Sequence, residues 1–321
     1  MMPLPRIVLC MVALGWLLPG AGTVAAQNYP VKPVSLVTGA PGGPNNVVSR
    51  LIATGLTASL AQPVSVNNLS GGEAAAALVV KAAPDGHTLL VIGSTFWLLP
   101  FMQDKTPWDP LTDFAPVTLT SLAPNILAVH ASLPATSVAQ LLALAKARPG
   151  QIVSATGPAG SATFLGTELL KTMAGINIVR INYKGNEPAL KALLGGEAQM
   201  MVGVPGALMP HAKAGRLRAL AVTSENPSTL HPELPTVAAS GLPGYESVAI
   251  TGIFAPAKTP AALISRINQE IARVLNGADA KQQLLGFGLE VVASSPEQLT
   301  AKMKSEMTRL GKIIKDANIR D

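Results

Sequence analysis

Short apolar runs alternate along this chain with longer segments in which apolar residues recur every three or four positions. Val34–Thr38, Val64–Val66 and Leu89–Gly93 have the length and composition of buried strands. After the first of them come residues that share one face of a helix: Val47, Val48, Leu51, Ile52 and Leu56. This alternation predicts βαβ units and therefore an α/β fold with helices covering parallel sheets.

The same alternation restarts after Pro149 and Gly150. We predict a helix at Phe164–Met173, preceded by a turn of small residues. The strands predicted in this block are Ile152–Ala155, Ile178–Ile181 and Ala198–Val202. Two turn-rich α/β blocks in one chain predict two lobes.

Local signals add helix starts to this outline. Ser137 and Gln140 have the spacing of a capping box, and Ser295, Pro296 and Gln298 mark the start of the last helix. Ser94–Trp97 are predicted to form a loop after the third strand.

The N-terminus has the layout of an export signal. Arg6 precedes an apolar run from Ile7 to Leu18, and small residues lead to Ala26, after which we expect cleavage. The run is shorter than the roughly 20 residues that span a bilayer. The only cysteine, Cys10, lies in this segment and lacks the small preceding residue expected of a lipidated cysteine. The mature chain is therefore predicted to be exported without a disulfide or a lipid anchor.

Charge and composition exclude some partners. The net charge is +6, but charged residues are only 13% of the chain, and Lys and Arg occur singly without aromatic interleaving. We therefore expect no nucleic-acid binding. A mildly positive field is suited to attracting small anions, or reflects a solvated surface alone.

Catalytic and metal-binding signatures are missing from the sequence. The histidines after the signal segment are His87, His130, His211 and His231, and no two of them have metal-ligand spacing. Hydrolase elbow, zinc-protease and phosphate-loop motifs are absent too. We therefore predict a protein that is not an enzyme and has no metal or cofactor.

Two small-residue turns at strand-to-helix junctions are the candidate binding elements, Ala40–Asn46 and Gly157–Thr163. The start of a helix offers unpaired N–H groups and a partial positive charge, which suit a carboxylate. Glycine-rich turns also occur simply to let the chain reverse, so both interpretations stay open from the residues alone.

A series of short motifs runs through the whole chain after the signal segment. In order, they are Tyr29-Pro30, Lys32-Pro33, Ala40-Pro41-Gly42-Gly43 with Arg50, Gln62-Pro63-Val64, Pro84-Asp85-Gly86-His87-Thr88-Leu89-Leu90, Asp113-Phe114-Ala115-Pro116-Val117, Ala145-Lys146 with Pro149-Gly150, Gly160-Ser161, Glu168-Leu169, Tyr183-Lys184-Gly185 with Pro188-Ala189, Ala214-Gly215-Arg216-Leu217-Arg218-Ala219-Leu220-Ala221-Val222-Thr223, Leu234-Pro235-Thr236-Val237, Gly241-Leu242-Pro243-Gly244-Tyr245, Ala255-Pro256 and Thr259-Pro260. In these motifs and their order the chain resembles the tripartite tricarboxylate transporter receptors of the TctC or Bug type.

The resemblance implies a periplasmic-binding-protein fold, two α/β lobes joined by crossing segments with a ligand cleft between them. It places residues 27–125 and 250–321 in lobe 1 and residues 126–249 in lobe 2, after a signal peptide at 1–26. It also implies a periplasmic monomer that binds a small carboxylate and delivers it to the membrane permease subunits of a tripartite transporter.

The ligand-binding residues that the resemblance implies come from both lobes. They are Pro41, Gly42, Gly43, Pro44, Asn45, Asn46, Ser94 and Thr95 in the first lobe, and Gly160, Ser161, Ala162, Thr163, Tyr183, Lys184 and Gly203 in the second. For Tyr183 and Lys184 the alternative is a turn in which the tyrosine packs and the lysine is solvated.

Several charged or polar family positions are neutral or apolar here. Asn46 and Gly203 stand where the family has acidic residues, Phe164 replaces a histidine and is expected to add apolar surface to the cleft, and Ile250 replaces a tryptophan. Burial of an ammonium group without an anionic partner costs several kcal/mol. The departures therefore predict a carboxylate without an ammonium group as the preferred ligand.

A second function class stays open from the sequence. A periplasmic sensory protein that reports its ligand without transporting it would use the same cleft.

Overall fold

The computed structural model describes residues 29–39, 41, 44–157, 161–183, 186–316 and 318–319. The predicted signal segment at 1–26 lies outside these residues. The described strands, numbered in chain order, are β1 (Val34–Thr38), β2 (Val64–Asn68), β3 (Thr88–Gly93), β4 (Phe114–Pro124), β5 (Ile126–His130), β6 (Val153–Thr156), β7 (Val179–Asn182), β8 (Met200–Gly203), β9 (Leu217–Val222), β10 (Val248–Pro256) and β11 (Glu290–Val291). The described helices are α1 (Pro44–Leu60), α2 (Gly72–Val79), α3 (Thr95–Met102), α4 (Val138–Ala147), α5 (Ala162–Ala174), α6 (Asn186–Leu194), α7 (Pro205–Lys213), α8 (Ala261–Asn276), α9 (Ala278–Gly286) and α10 (Pro296–Asp316).

The first of two sheets has the strand order β11-β4-β10-β3-β1-β2. β1 pairs in parallel with both β2 and β3, whereas β10 runs antiparallel between β3 and β4. The parallel strands therefore end at the same edge of the sheet, at Thr38, Asn68 and Gly93. Ligands of open α/β sheets bind outside this edge.

The second sheet has the strand order β7-β6-β8-β5-β9. β6 is parallel to β7 and β8, and β5 runs antiparallel between β8 and β9. Its parallel strands end at Thr156, Asn182 and Gly203, so each sheet has a carboxyl-terminal edge of the kind that binds ligands.

The chain crosses between the sheets twice, and the two crossings meet in a buried cluster of hydrogen bonds. Asn125 is the single residue between β4 and β5, while residues 223–247 connect β9 to β10. The backbone N–H of Asn125 donates to Thr223 Oγ1 at 2.8 Å, and Thr223 Oγ1 donates to the Ser247 carbonyl at 2.6 Å. The Asn125 side-chain NH2 group also donates to the Ser247 carbonyl, at 3.2 Å. Because all three residues are buried, these bonds fix the two crossings to each other.

Most of the predicted elements are confirmed. The strands β1, β2 and β3 and the helices α1 and α5 form where the apolar pattern places them, while β6 and β7 begin one residue later and β8 two residues later than predicted. Ser137 accepts from the N–H of Gln140, as a cap requires, but the Gln140 side chain accepts from Thr136 rather than from Ser137. At the last helix Ser295 and Gln298 form the full reciprocal capping box.

The predicted loop at Ser94–Trp97 is wrong, because α3 begins at Thr95. Phe96, Trp97, Leu98 and Leu99 are all buried, so this short helix is apolar on every side. Burial of four consecutive large apolar residues favours a helix packed into the core over an exposed loop.

Candidate functional site

The first predicted binding turn joins β1 to α1 at the edge of the first sheet. Pro44 is the first residue of α1, a position that suits proline because an N–H at this position has no partner within the helix. Pro41 and Pro44 are exposed, and Asn45 is half-buried. Gly42 and Gly43 lie outside the described residues.

Asn46 is held inside the scaffold by both ends of its carboxamide. Its Nδ2 donates to Asn68 Oδ1 at 3.1 Å, and its Oδ1 accepts from Arg50 Nε at 3.1 Å. Asn68 in turn donates to the carbonyl of Gly39 at 2.8 Å. Since Asn46 is only 5% exposed, its side chain fixes the start of α1 to the ends of β1 and β2.

Asn45 is held differently, by one end of its carboxamide. Its Oδ1 accepts from Thr251 Oγ1 of β10 at 2.9 Å. A Cβ atom on Gly93 would lie 3.7 Å from Asn45 Nδ2, so the carboxamide rests against the last residue of β3. This contact brings Asn45 next to Ser94.

Ser94 and Thr95 follow β3 directly. Ser94 is half-buried, and although it precedes the first residue of α3, its hydroxyl makes no capping hydrogen bond. Thr95 is exposed. Both predicted residues therefore lie at the same edge of the sheet as Asn45.

The second predicted turn joins β6 to α5. Ser161 caps the helix, its Oγ accepting from the Phe164 N–H at 3.3 Å, and lies 3.1 Å from Thr163 Oγ1. Thr163 is buried and Ala162 half-buried. The carbonyl of Ala162 accepts from Ser247 Oγ at 3.0 Å, which fastens the start of α5 to the crossing segment. Gly160 lies outside the described residues.

Two further predicted residues, Tyr183 and Gly203, lie at the same edge of the second sheet. Tyr183 follows β7 and donates its N–H to the Thr156 carbonyl at 2.9 Å, while its ring is half-buried against the core. Gly203 is the last residue of β8. Lys184 lies outside the described residues. The two alternatives for the pair Tyr183 and Lys184 thus both remain.

Phe164 does not supply apolar surface to a cleft, contrary to the sequence-based expectation. It is 2% exposed, and the Arg180 guanidinium carbon lies 3.9 Å from its ring centroid. Arg180 also pairs with Glu168 at 3.1 Å. Phe164 is therefore a core residue beneath an ion pair.

The chemistry of the assembled site is that of neutral hydrogen-bond donors at helix starts. None of the described members of the predicted site is acidic. Over the described part of the chain, no group of three His, Cys, Asp or Glu side chains could hold a metal ion. Such a site is suited to binding an anion.

Comparison with known proteins identifies the chain. The sequence model of the tripartite tricarboxylate transporter family receptors, TctC, matches residues 48–319. The chain belongs to this family. TctC receptors are non-enzymatic solute receptors, and this chain has their two-lobed periplasmic-binding-protein fold. Of the helices described, none is long and apolar enough to cross a membrane.

Relatives align with the TctC receptor over nearly its full length. A UPF0065 protein from the tcbD-tcbE intergenic region of Pseudomonas sp. strain P51 is 33% identical over 313 residues, covering 96% of this chain and 93% of its own. The protein BugT of Bordetella pertussis is 32% identical over 301 residues, covering 92% of each chain.

Solved structures agree with this assignment. R. palustris Rpa4515 with adipate has a TM-score of 0.73 at 33% identity, over 91% of this chain and 99% of its own. MatC from Rhodopseudomonas palustris with bound malate has a TM-score of 0.71 at 28% identity, over 89% of this chain and 100% of its own. A TctC solute-binding protein from Polaromonas, at 22% identity, shares the fold with a TM-score of 0.81, over 90% of this chain and 99% of its own.

Three residues that contact the site were not predicted as site residues: Thr251, Asn68 and Ser247. Thr251, in β10, contacts Asn45 of the first turn, and Ser247, just before β10, contacts Ala162 of the second turn. Thr251 is 206 positions away from Asn45 in sequence, so no local pattern links them.

Proposed function

We propose that this TctC receptor binds a small carboxylate in the cleft between its lobes and delivers it to the membrane permease of a tripartite transporter. The observation that carries the proposal is the placement of the two predicted turns. Each turn lies at the carboxyl-terminal edge of its own sheet and leads into a helix of more than ten residues, α1 or α5. Each turn can therefore offer helix-start N–H groups to one carboxylate oxygen pair.

The class of ligand is supported by two relatives. Rpa4515 contains adipate and MatC contains malate, and both ligands are dicarboxylates. A dicarboxylate has one anionic group for each turn. The neutral site residues and a net charge of +6 favour an anion over a cation.

The proposed lobes are those of the sequence prediction, residues 27–125 with 250–321 and residues 126–249. Membership of the two sheets supports this division, since β10 and β11 return to the first sheet. The proposed ligand contacts are the predicted site residues, with Asn46 acting through the scaffold. We also propose export by a signal peptide cleaved after Ala26, a periplasmic location and a monomeric receptor.

A thermal-shift screen of the mature protein tests the ligand class. The panel contains mono-, di- and tricarboxylates, aromatic acids and amino acids, and a ligand that binds only the folded state raises the melting temperature. We expect the largest rise with a dicarboxylate. No rise with any carboxylate would contradict the proposed ligand.

Bulky substitutions test the proposed place of binding. Backbone donors cannot be removed by mutation, but Gly43→Val and Ser161→Phe should fill the space above each turn and abolish the ligand-induced rise. Thr308→Phe, on the exposed face of α10, is the control for a new aromatic side chain. Unchanged binding by both turn variants would place the site elsewhere.

Uptake of the labelled ligand by a deletion strain separates transport from sensing. Loss of uptake, restored by the gene, supports delivery to a permease. Unchanged uptake together with a lost transcriptional response to the ligand would favour the sensory alternative.

A further inference from the structure

The carboxamide of Asn45 has one engaged end and one available end. Oδ1 accepts from the Thr251 hydroxyl at 2.9 Å, and among the described residues Nδ2 has no hydrogen-bond partner. A carboxamide presents an acceptor on one side and two N–H donors on the other. With the acceptor occupied, what remains for a ligand is a pair of donors.

Thr251 is well placed to keep this orientation. It is 2% exposed, and its own carbonyl accepts from Thr120 Oγ1 at 2.8 Å, which ties this part of β10 to β4. The Thr251 hydroxyl therefore belongs to a rigid, buried part of the first sheet. In this structure it donates to Asn45 Oδ1, which leaves Nδ2 as the end of the carboxamide without a partner among the described residues.

Gly93 shows where the carboxamide lies. A Cβ atom at this position would lie 3.7–3.8 Å from the two polar atoms of the Asn45 carboxamide, which is ordinary contact distance, and 3.1 Å from the Ile250 carbonyl, which is tight. The Asn45 carboxamide therefore lies against the end of β3, beside Ser94. The donor pair thus lies at the ligand-binding edge of the sheet.

The neighbouring Asn46 makes the assignment specific. Both of its carboxamide atoms are bonded within the scaffold, to Asn68 and Arg50. Asn46 is also only 5% exposed, whereas Asn45 is half-buried and its NH2 group has no partner among the described residues, so Asn45 is the better placed of the two to give donors to a ligand.

We propose that Thr251 is a positioning residue that holds the NH2 group of Asn45 toward the cleft, and that this pair selects a carboxylate oxygen and rejects an ammonium group. The inference rests on the proposed function and deepens it. Two outward N–H donors match an anionic oxygen, whereas an ammonium group has only donors and would face the donors of Asn45 instead of the acceptors that its burial requires.

Calorimetric titrations with length-matched pairs test the proposal. The probes are succinate, glutarate and adipate, and their α-amino counterparts aspartate, glutamate and 2-aminoadipate. We expect the parent protein to bind the best dicarboxylate at least about tenfold more tightly than its amino counterpart, the value of roughly one hydrogen bond.

Three variants separate positioning from packing. Thr251→Val keeps the shape but removes the hydroxyl, and should weaken dicarboxylate binding about tenfold. It should also lower the selectivity ratio, which is the affinity for a dicarboxylate divided by the affinity for its amino counterpart. Thr251→Ser restores the hydroxyl and should restore the ratio. Asn45→Asp replaces donors by acceptors of the same shape, and should weaken dicarboxylate binding about a hundredfold or more and reverse the ratio.

Ser49→Ala is the matched control. The Ser49 hydroxyl donates to the backbone carbonyl of Asn45 at 2.7 Å and does not touch the carboxamide. Its selectivity ratio should equal that of the parent.

The outcomes distinguish this inference from the proposed function. A parent protein that binds dicarboxylates, together with Thr251→Val and Asn45→Asp variants of unchanged selectivity, would overturn the inference and leave the proposed function standing. A parent that binds none of the six probes while a different class of solute stabilises it would overturn both.

Discussion

The two turns at the proposed site differ in how the fold holds them. In the first turn, side chains are fixed: Asn46 is bonded to Asn68 and Arg50, and Asn45 to Thr251. In the second turn, the Ser161 hydroxyl is used within its own helix cap, and the scaffold holds the backbone instead, through Ser247 and Ala162.

The difference indicates that the two turns have different roles, one in discriminating between ligands and the other in closing the lobes. Under the proposed function, the oriented Asn45 carboxamide of the first turn discriminates between ligands, because its Nδ2 end presents donors and its Oδ1 acceptor is engaged by Thr251. The second turn is bonded to Ser247, which also belongs to the cluster where the chain crosses between sheets. A ligand that contacts the second turn can therefore affect the crossing segments directly, which is what closure of two lobes requires.

Of the substitutions that test this comparison, Thr223→Val is expected to lower the free energy of unfolding most. The substitution keeps the shape but removes the hydroxyl that accepts from Asn125 and donates to Ser247. A buried N–H is left unpaired and a second bond is lost, so the free energy of unfolding should fall by about 3 to 4 kcal/mol in denaturant titrations.

The same chemical change on the surface is the control for Thr223→Val. Thr308→Val removes an exposed helix hydroxyl and should change stability by less than about 0.5 kcal/mol. Selectivity between a dicarboxylate and its amino counterpart should stay at the parental value in Thr223→Val, because the first turn is untouched. A changed selectivity ratio would show that the contacts between the crossings also affect ligand discrimination by the first turn.

A slightly smaller effect on stability is expected from Glu306, on helix α10, which packs against α3 and α5. Its Oε2 accepts from Trp97 Nε1 at 3.0 Å, and Lys302 on the same helix pairs with Glu246, next to Ser247. Burial raises the pKa of Glu306 to about 7, although the Lys302 ammonium, the Trp97 N–H and Arg309 favour the carboxylate. Glu246 adds a further upward contribution to this pKa.

The sign of the pH dependence follows from this raised pKa. Between the ordinary value of 4.5 and about 7, the folded state keeps a proton that the unfolded state has lost. The contribution to stability is therefore full below pH 4.5 and is lost as pH rises to about 7. Its size is about 3 kcal/mol, and denaturant titrations across this range should show the decline.

Glu306→Gln should abolish that decline, because glutamine still accepts from Trp97 but does not ionise. The exposed Glu187→Gln variant is the control and should keep the parental slope. If the free energy of unfolding falls with pH by the same amount in the parent and in Glu306→Gln, the Glu306 carboxyl is not the source of the pH dependence.

The sequence predicted the elements that have strong local signals. The apolar face of α1, the strands β1 and β3 and the cap at Ser295 depend on residues a few positions apart, so periodicity and spacing are sufficient to find them. The motif series placed both turns, and the structure puts each at the edge of a sheet.

The contacts that organise the site could not be predicted in the same way. Asn45 with Thr251 and Trp97 with Glu306 are more than 200 positions apart, and neither pair has a local pattern. In the sequence Asn46 stood out from the adjacent Asn45, because it occupies an acidic family position. The hydrogen bonds instead fix Asn46 within the scaffold and leave Nδ2 of Asn45 without a partner among the described residues. The lobe boundaries and the ligand contacts remain predictions.

Small-angle X-ray scattering of the mature receptor, with and without a saturating dicarboxylate, tests most directly whether the two turns take one ligand between them. Contacts made by both turns at once shift an open population toward a closed one. We therefore predict a smaller radius of gyration with the dicarboxylate present, and no change for the Ser161→Phe variant. An unchanged radius for the parent protein at saturation, with binding confirmed by calorimetry in the same buffer, would contradict capture between the lobes.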